Sequence, residues 1–200
     1  MKKFLLYLLL CLSSHSLWAD AKLLIVGDSL SAGYRMQANE SWPYLLDSKL
    51  DPQGITVINA SISGDTTGNG AARLPELLSK HQPDFVFIGL GANDGLRGFN
   101  PAVTQKQLTQ MIEDSLAIDA DVFLMQVRVP PNYGKRYSDR FEKMYPKLSD
   151  KFDIPLVPFF LEHVIINNEW MMDDGLHPNA DAQPFIAQFV YDEIHPHLSK

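Results

Sequence analysis

Four short motifs in this sequence carry residue types that could together catalyse acyl transfer. Gly27–Ser31, Ile62–Asp65 and Gly91–Asp94 each follow an apolar run, and Asp174–Pro178 precedes the last helical stretch. Each motif places a polar side chain or a bare backbone amide where a strand is expected to end. In an open α/β sheet, the ligand crevice lies outside those carboxyl ends. The motifs therefore predict the parts of a serine hydrolase: a nucleophile, two oxyanion donors, a base and a carboxylate to orient the base.

Ser29, Gly64 and Asn93 are the candidates for the nucleophile and the oxyanion donors. A nucleophilic serine needs an exposed hydroxyl and a base within hydrogen-bond distance, and the position of Ser29 after a strand fits the first condition. A side chain at Gly64 would keep the amide from approaching a substrate oxygen, and Asn93 could aim its side-chain amide at a developing oxyanion. Each residue taken alone is typical of a turn, and Asp28 is interpreted as a turn-forming neighbour. Four such motifs in this order favour the catalytic interpretation.

Asp174 and His177 form the sharpest pair in the sequence. A separation of three residues on a loop or an incipient helical turn brings the two side chains next to each other. The carboxylate can then hold one ring nitrogen while the other faces the serine. Pro178 restricts His177 to extended backbone and starts the following helix. The alternative is that Asp174 or Asp173 caps a turn and that His177 is a surface histidine.

Three other motifs are weak evidence for other kinds of site. Ser31 stands where the nucleophile elbow of the α/β-hydrolases needs glycine. Asp94 replaces the third glycine of a dinucleotide-binding fingerprint, which leaves a nicotinamide oxidoreductase as a distant alternative. His195–His197 has no spaced third ligand, so we interpret it as surface and not as a metal site.

Five apolar runs predict the strands of a buried sheet. These runs are Leu23–Gly27, Thr56–Ala60, Phe85–Gly89, Val122–Met125 and a short strand within Ile154–Val157. Helical spacing predicts helices after Ser41, over 71–80, after Asn100–Pro101, over 140–151 and over 182–195. Pro75 is expected to separate a short first turn from a new helix. Strands that alternate with such helices imply right-handed crossovers, a parallel sheet of about five strands and a three-layer α/β/α sandwich; strand order is not readable.

Residues 1–19 have the composition of a secretory signal peptide. Two lysines precede the apolar run Phe4–Leu12, and cleavage is expected after Ala19 or after Ala21. The run is too short to span a bilayer as a stable anchor. We therefore expect a periplasmic or secreted protein with a single domain over residues 20–200.

Charge and cysteine usage narrow the class of partner. The chain has 200 residues, a net charge of −7 and one cysteine, Cys11; cleavage would remove two lysines and no acids and so lower the charge to −9. The bulky Leu10 before Cys11 argues against a lipid anchor, and the mature chain would carry no disulfide. An acidic protein without basic runs is a poor binder of nucleic acid or anionic membranes. We expect a monomer that acts on a small molecule.

The same residues resemble the conserved blocks of the SGNH (GDSL) hydrolases over about residues 22–195. The stretches that carry the resemblance are Gly27–Tyr34, Asn59–Thr66, Gly91–Gly98, Met125–Arg128, Asn132–Gly134 and Asp173–Asn179. They are most similar to a branch of periplasmic enzymes described as acyl-CoA thioesterase, lysophospholipase, arylesterase and protease. One departure is Ala92, where that branch is expected to have glycine; it concerns loop flexibility more than chemistry.

The resemblance implies roles for these residues. Ser29 would be the nucleophile, His177 the general base and then acid, and Asp174 the residue that orients His177. The backbone amides of Ser29 and Gly64 with the side chain of Asn93 would form the oxyanion hole. The resemblance also implies a flavodoxin-like fold, no metal or organic cofactor, and hydrolysis of esters and thioesters through an acyl-enzyme.

The substrate is left open by the sequence. An apolar acyl chain needs an apolar groove, and the candidate residues are Ile62, Leu74, Leu77, Phe141, Tyr145 and Trp170. Each of them could equally be a core residue, so a short-chain deacetylase acting on polysaccharide is an alternative. A non-catalytic periplasmic binding or adhesion module is a second alternative, because a fold alone does not determine function.

Overall fold

The computed structural model describes residues 21–198, apart from the side chain of residue 131. The predicted signal peptide, residues 1–19, lies outside the described residues. Within the described range, strands and helices alternate along the chain from the first strand to the last helix. This alternation agrees with the α/β class predicted from the sequence.

The centre of the molecule is a parallel sheet. Its strands are β1 (Ala21–Gly27), β2 (Ile55–Asn59), β3 (Phe85–Gly89), β4 (Asp121–Met125) and β5 (Leu156–Val157). They pair in parallel in the order β2-β1-β3-β4-β5. The predicted parallel sheet of five strands is confirmed, and its order is that of the flavodoxin-like folds.

Helices cover both faces of the sheet. They are α1 (Trp42–Leu50), α2 (Thr67–His81), α3 (Ala92–Leu96), α4 (Pro101–Leu116), α5 (Lys135–Glu142), α6 (Met144–Phe152), α7 (Leu161–Val164) and α8 (Gln183–Ile194). Helix α1 packs against α8, whereas α2 and α6 pack against α4. Right-handed connections from β1 outward to β2 and back to β3 place α1 and α2 on opposite faces, which gives the predicted three layers. None of the helices within residues 21–198 is long and apolar enough to cross a membrane.

The innermost strands are buried on both faces. Leu23, Leu24, Ile25 and Val26 of β1 have no solvent-exposed surface, because each face of a parallel sheet lies under helices. Trp42 at the start of α1 is equally buried, and its Nε1 donates to the carbonyl oxygen of Leu30 at 2.9 Å. This bond ties the loop after β1 to the helical layer.

Helix α2 runs without interruption through Pro75, so the predicted break at that residue is wrong. A proline inside a helix removes one backbone hydrogen bond, here the one to the carbonyl oxygen of Ala71. Leu74 and Leu78 on either side of Pro75 are buried in the core. Burial of these side chains offsets the lost hydrogen bond, so the helix continues past Pro75.

The single helix predicted over residues 140–151 is instead two helices. Helix α5 ends at Glu142 and α6 begins at Met144, with Lys143 between them. Pro146 lies in the first turn of α6, where it has no N–H to donate to the carbonyl of Glu142 and its ring would clash with that carbonyl. The proline therefore fits a helix start and prevents one continuous helix.

The order in which successive strands are added to the sheet reverses after β2. The chain moves from β1 outward to β2 and then returns to the other side of β1 to form β3. Gly27 and Gly89, the last residues of β1 and β3, are partners in the register. The loops that follow these strands therefore open at one edge of the sheet, at the point where such folds hold their ligands.

Candidate active site

Ser29, His177 and Asp174 form a continuous line of hydrogen bonds at this edge. Ser29 Oγ lies 2.8 Å from His177 Nε2, and His177 Nδ1 lies 2.7 Å from Asp174 Oδ2. Ser29 follows β1, whereas His177 lies 148 residues further along, in the loop before α8. The fold therefore brings together three residues that the sequence analysis selected separately.

The carboxylate of Asp174 organises its own loop. Its Oδ1 accepts the backbone N–H groups of Leu176 at 2.9 Å and His177 at 3.0 Å, which leaves Oδ2 for the imidazole. The bond from the Leu176 amide, followed by those from the His177 side chain and backbone, lowers the pKa of Asp174 to about 2. The carboxylate is therefore ionised at neutral pH, and it keeps the proton of the neutral imidazole on Nδ1. Nε2 then carries the lone pair that faces Ser29.

The ring of Tyr34 packs against the imidazole of His177. The ring centres are 4.4 Å apart and the planes are inclined by 35°. The guanidinium of Arg35 lies 5.1 Å from the centre of the Tyr34 ring. The sequence does not predict this contact, because the only distinctive feature of Tyr34 is its place in a stretch similar to the family. The contact restricts the imidazole to the orientation in which it reaches Ser29.

The backbone N–H groups of Ser29 and Gly64 are available to a ligand at the site. Within the described part of the chain, the N–H groups of Ser29 and Gly64 donate to no protein atom. Gly64 has a φ of +86° in a turn closed by the N–H of Asp65 donating to the carbonyl oxygen of Ile62 at 3.1 Å. That conformation favours glycine, and a Cβ there would meet no heavy atom within 4 Å. Backbone conformation, and not crowding by the protein, therefore accounts for the glycine.

Asn93 lies in the first turn of α3 with both hydrogens of its amide directed at acceptors. Its Nδ2 is 3.0 Å from the carbonyl oxygen of Asp65 and 3.4 Å from Oδ2 of Asp28. The neighbouring Asp94 is buried and accepts from the backbone N–H of Thr67 at 2.9 Å. This bond joins the start of α2 to α3. The long contact with Asp28 is the one that a developing oxyanion could replace.

Asp28 is the most perturbed acid at the site. It is 1% exposed, and its Oδ1 accepts the backbone N–H of Leu30 at 3.0 Å, which confirms it as a turn-forming residue. Burial raises the pKa of Asp28 to about 6, although the bond from Leu30, the charge of His177 and the bond from Asn93 oppose the shift. Its contact with the amide of Asn93 was not foreseen from the sequence, because it depends on how the loops after β1 and β3 meet.

The raised pKa of Asp28 gives a prediction about stability. Between the ordinary pKa of 3.8 and about 6, the folded protein binds a proton that the unfolded chain releases, so this group loses stabilising free energy as the pH rises. Asp28→Asn removes the buried charge and is expected to raise the free energy of unfolding at pH 7 by at most about 3 kcal/mol, because its NH₂ group would face the amide of Asn93 where a carboxylate oxygen now accepts. Thermal unfolding of both proteins at pH 4 and pH 7 checks this. The gain should disappear at pH 4, and a gain of equal size at both pH values would contradict the assignment.

An apolar cleft of about 400 Å³ opens beside Ser29, Asn93 and His177. The apolar residues that line it are Leu30, Ala92, Leu96, Val129, Pro130, Phe159, Leu161, Ile165 and Leu176. The charged residues of the lining, Arg128 and Glu162, form an ion pair with 2.6 Å between Nη1 and Oε1. The cleft thus offers an apolar surface to a substituent on the carbon atom that Ser29 would attack.

The groove predicted from the sequence is not this cleft. None of its six residues is part of the lining: Ile62, Leu74, Leu77, Phe141, Tyr145 and Trp170. Leu74, Phe141 and Tyr145 are buried in the core, so the prediction is wrong for them. Helical spacing shows that a face is apolar, but the sequence does not show whether that face covers the sheet or a cleft.

Potential metal ligands are dispersed. Among residues 21–198, no group of three or more His, Cys, Asp or Glu side chains could hold a metal ion. His195 and His197 lie in a short turn after α8, where their rings contact those of Tyr191 and Phe123. Both histidines are exposed, which confirms the prediction that they lie at the surface.

The chain is similar to known proteins over nearly its whole length. Residues 25–183 match the GDSL-like Lipase/Acylhydrolase family. The chain is 60% identical over 195 residues to an arylesterase of Vibrio mimicus, with 96% of this chain and 97% of that protein covered. It is 52% identical over 190 residues to thioesterase 1/protease 1/lysophospholipase L1 of Escherichia coli K12, with 95% and 91% covered.

The fold is also similar to that of an esterase of known structure. The crystal structure of the psychrotrophic esterase EstA from Pseudoalteromonas sp., inhibited by monoethylphosphonate, superposes with a TM-score of 0.87 at 43% identity. The superposition covers 90% of this chain and all of that one. The sequence and structural similarities thus extend over nearly the whole described region.

Proposed function

Because this chain belongs to the GDSL-like lipase/acylhydrolase family, we propose that Ser29 is the nucleophile through which it transfers acyl groups to water. The chain is a hydrolase of esters and thioesters. The observation that carries the assignment of Ser29 is its 2.8 Å contact with His177 Nε2, in a ring held on its other side by Asp174. A base at this distance is what a serine hydroxyl needs to become nucleophilic.

In the first step, Ser29 Oγ bonds to the carbonyl carbon of the substrate while His177 Nε2 takes the hydroxyl proton. The ionised Asp174 stabilises the imidazolium that forms. The carbonyl oxygen becomes an oxyanion, and the donors proposed for it are the free amides of Ser29 and Gly64 and the side chain of Asn93. His177 then returns the proton to the leaving oxygen or sulfur as that bond breaks, and an alcohol or thiol departs.

In the second step, water resolves the acyl-enzyme. His177 removes a proton from the water molecule as its oxygen attacks the ester carbon, and the same donors hold the second oxyanion. Collapse of this intermediate breaks the bond to Ser29 Oγ, which recovers its proton from His177 and releases the carboxylic acid. The site therefore needs no group beyond these side chains and amides for either step.

A fluorophosphonate probe tests the nucleophile directly. The phosphonate held by the related esterase EstA supports this choice of reagent. We expect one equivalent of probe on the protein, and peptide mapping should place it on Ser29. A non-catalytic binding module would leave Ser29 unlabelled, and that outcome would overturn the proposal.

The cleft supports medium or long acyl chains as the acid part of the substrate. Each methylene that moves from water into an apolar cleft contributes about 0.8 kcal/mol. Values of kcat/KM for p-nitrophenyl octanoate and acetate, measured side by side, should therefore favour the octanoate. A preference for acetate would favour the short-chain deacetylase instead.

Ile165 offers a test of the acyl site that leaves the reacting groups untouched. It lines the cleft and is 49% exposed, so an aspartate there is compatible with folding. Ile165→Asp should lower the octanoate-to-acetate ratio of kcat/KM by about tenfold, since a charge beside the chain opposes its transfer from water. The matched control is Ile166→Asp, at a neighbouring residue that is 82% exposed and does not line the cleft. Equal effects of the two variants would contradict an acyl site at Ile165.

The location and the mature form belong to the same proposal. A signal peptide ending at Ala19 or Ala21 would deliver a single domain, acting as a monomer, to the periplasm or the medium. The charged start and the short apolar run of the N-terminal segment support this. N-terminal sequencing of the protein recovered from each compartment identifies both the cleavage site and the location.

A further inference from the structure

A basic surface stands out on this acidic protein. Two adjoining hollows lie beside α5, and they share Pro101 and Arg140. The cationic residues that line them are Lys135, Arg136, Arg140, Lys143 and Lys147. No acidic residue of the described range lines either hollow, although the chain as a whole has a net charge of −7. We refer to this surface, defined by the five cationic residues, as the basic hollow.

Most of the positive charge in the basic hollow is not neutralised by the protein. Lys135 pairs with Asp139 on the same helix, with 2.9 Å between Nζ and Oδ2. Within the described residues, Arg136, Arg140 and Lys147 take part in no ion pair, and all three are exposed. The hollow is therefore an exposed positive surface without an internal counter-charge for most of its side chains.

The basic hollow adjoins the mouth of the apolar cleft. Tyr133 lines the hollow, and its hydroxyl donates to the carbonyl oxygen of Leu96 at 2.7 Å. Leu96 in turn lines the cleft and is 37% exposed. Ile165 and Leu176 of the cleft lining are also exposed, at 49% and 46%. We refer to Leu96, Ile165 and Leu176 as the apolar rim.

We propose that the basic hollow and the apolar rim together dock the enzyme on an anionic phospholipid surface, with the mouth of the cleft turned toward the lipid. The proposal rests on the acyl-binding role of the cleft. Cationic side chains next to exposed apolar ones are the combination that binds the interface of an anionic bilayer. Docking in this orientation would let an acyl chain pass from the lipid phase into the cleft without crossing water.

The apolar rim favours a lipid surface over a soluble anion. A free phosphorylated molecule in the basic hollow would leave Leu96, Ile165 and Leu176 in water, whereas a bilayer interface would cover them.

The net charge of −7 predicted poor binding to anionic membranes, but the five cations of the basic hollow form a local positive surface that the net charge does not describe. Charges farther from the contact than about 8 Å are largely screened at physiological salt. Of the acids near the apolar rim, Glu162 is paired with Arg128 and Asp174 is bonded to His177. This leaves the exposed Asp173 against the five cations of the basic hollow.

Vesicle flotation tests the proposal. The protein carrying Ser29→Ala is mixed with phosphatidylcholine vesicles that either contain or lack phosphatidylglycerol, and the bound fraction is measured. The Ser29→Ala background removes turnover, so a failure to bind is independent of whether Ser29 is the nucleophile. We expect binding to the anionic vesicles, and further substitution with Arg136→Glu and Arg140→Glu should weaken it by about tenfold or more.

Matched variants separate docking from general electrostatics. Lys49→Glu with Lys80→Glu makes the same charge change on α1 and α2, which line neither the cleft nor the basic hollow, and should leave vesicle binding within about twofold. With Ser29 intact, Arg136→Glu with Arg140→Glu should not change kcat/KM for the soluble p-nitrophenyl acetate.

Four results would overturn the proposal. The first is absence of binding to the anionic vesicles, and the second is an equal loss of vesicle binding in the two double variants. The third is a lower kcat/KM of Arg136→Glu/Arg140→Glu for soluble acyl-CoA with no loss of vesicle binding. That result would assign the basic hollow to the phosphates of a soluble leaving group. The fourth is binding accompanied by dimer formation, measured by light scattering and lost on substitution of the rim, which would assign the rim to a second copy of the chain.

Discussion

Ser29→Ala is expected to lower kcat/KM for p-nitrophenyl octanoate by about 10⁴–10⁶-fold. The variant removes Ser29 Oγ, which lies 2.8 Å from His177 Nε2. Within the described residues, no other atom at the site faces the lone pair of Nε2. The free amides, Asn93 and the cleft would remain and would support the residual rate. Steady-state kinetics with the variant at high concentration, corrected for the uncatalysed rate, measures the loss.

Ser31→Ala is the matched control for this result. The hydroxyl of Ser31 is buried two residues further along the same turn and has no hydrogen-bond partner in the described structure. Its removal should leave kcat/KM within about threefold and should not lower the thermal stability. Activity of Ser29→Ala close to that of the unchanged protein would contradict an acyl-enzyme on this residue.

His177→Ala should lower kcat/KM about as much as Ser29→Ala does. The double variant should lower it little further, because the two residues act as a unit.

Asp174→Asn is expected to lower kcat by about 10³–10⁴-fold with KM nearly unchanged. The asparagine oxygen can still accept the backbone N–H groups of Leu176 and His177, so the loop should keep its form. Its NH₂ group would then face His177 Nδ1, which must become the acceptor. The imidazole proton would move to Nε2, and the ring could no longer accept the proton of Ser29.

The neighbouring Asp173 provides the control for this substitution. It is exposed, and Asp173→Asn makes the same chemical change without touching His177. It should leave kcat within about threefold. Similar losses in the two variants would show that the acidic loop acts through its charge and not through the contact at 2.7 Å. Because the pKa of Asp174 is about 2, its ionisation should not limit kcat anywhere between pH 4 and pH 8.

The sequence by itself determined the strands and the positions of the reactive residues. Runs such as Leu23–Gly27 and Phe85–Gly89 are apolar at every position but the final glycine, and at this short length they are typical of a strand covered on both faces. The polar residues that follow β1, β2 and β3 must then lie at the carboxyl edge of a parallel sheet. The separation of three residues between Asp174 and His177 is likewise a local property, set by the reach of one turn of chain.

Local patterns were least reliable where proline and helix faces were concerned. Pro75 lies inside α2, because the burial of Leu74 and Leu78 outweighs one lost hydrogen bond. Pro146 prevents a continuous helix, because it has no N–H for the carbonyl of Glu142 and its ring would clash with that carbonyl at the junction of α5 and α6. A proline reports a missing donor and a clash, and the packing around it determines whether the helix continues.

Only the tertiary structure decided the strand order, the surroundings of the reacting groups and the place of the acyl cleft. Asp28 has a raised pKa because helices and loops from distant parts of the chain bury it, and Tyr34 meets His177 only when the last loop folds over the first. The cleft is lined by residues from five separate stretches of chain, and Phe141 and Tyr145, which looked equally suited to it, lie in the core. The physical reason is that sequence spacing determines which side chains share a face of a helix or strand. What that face meets depends on contacts between residues far apart in sequence, and local spacing does not encode them.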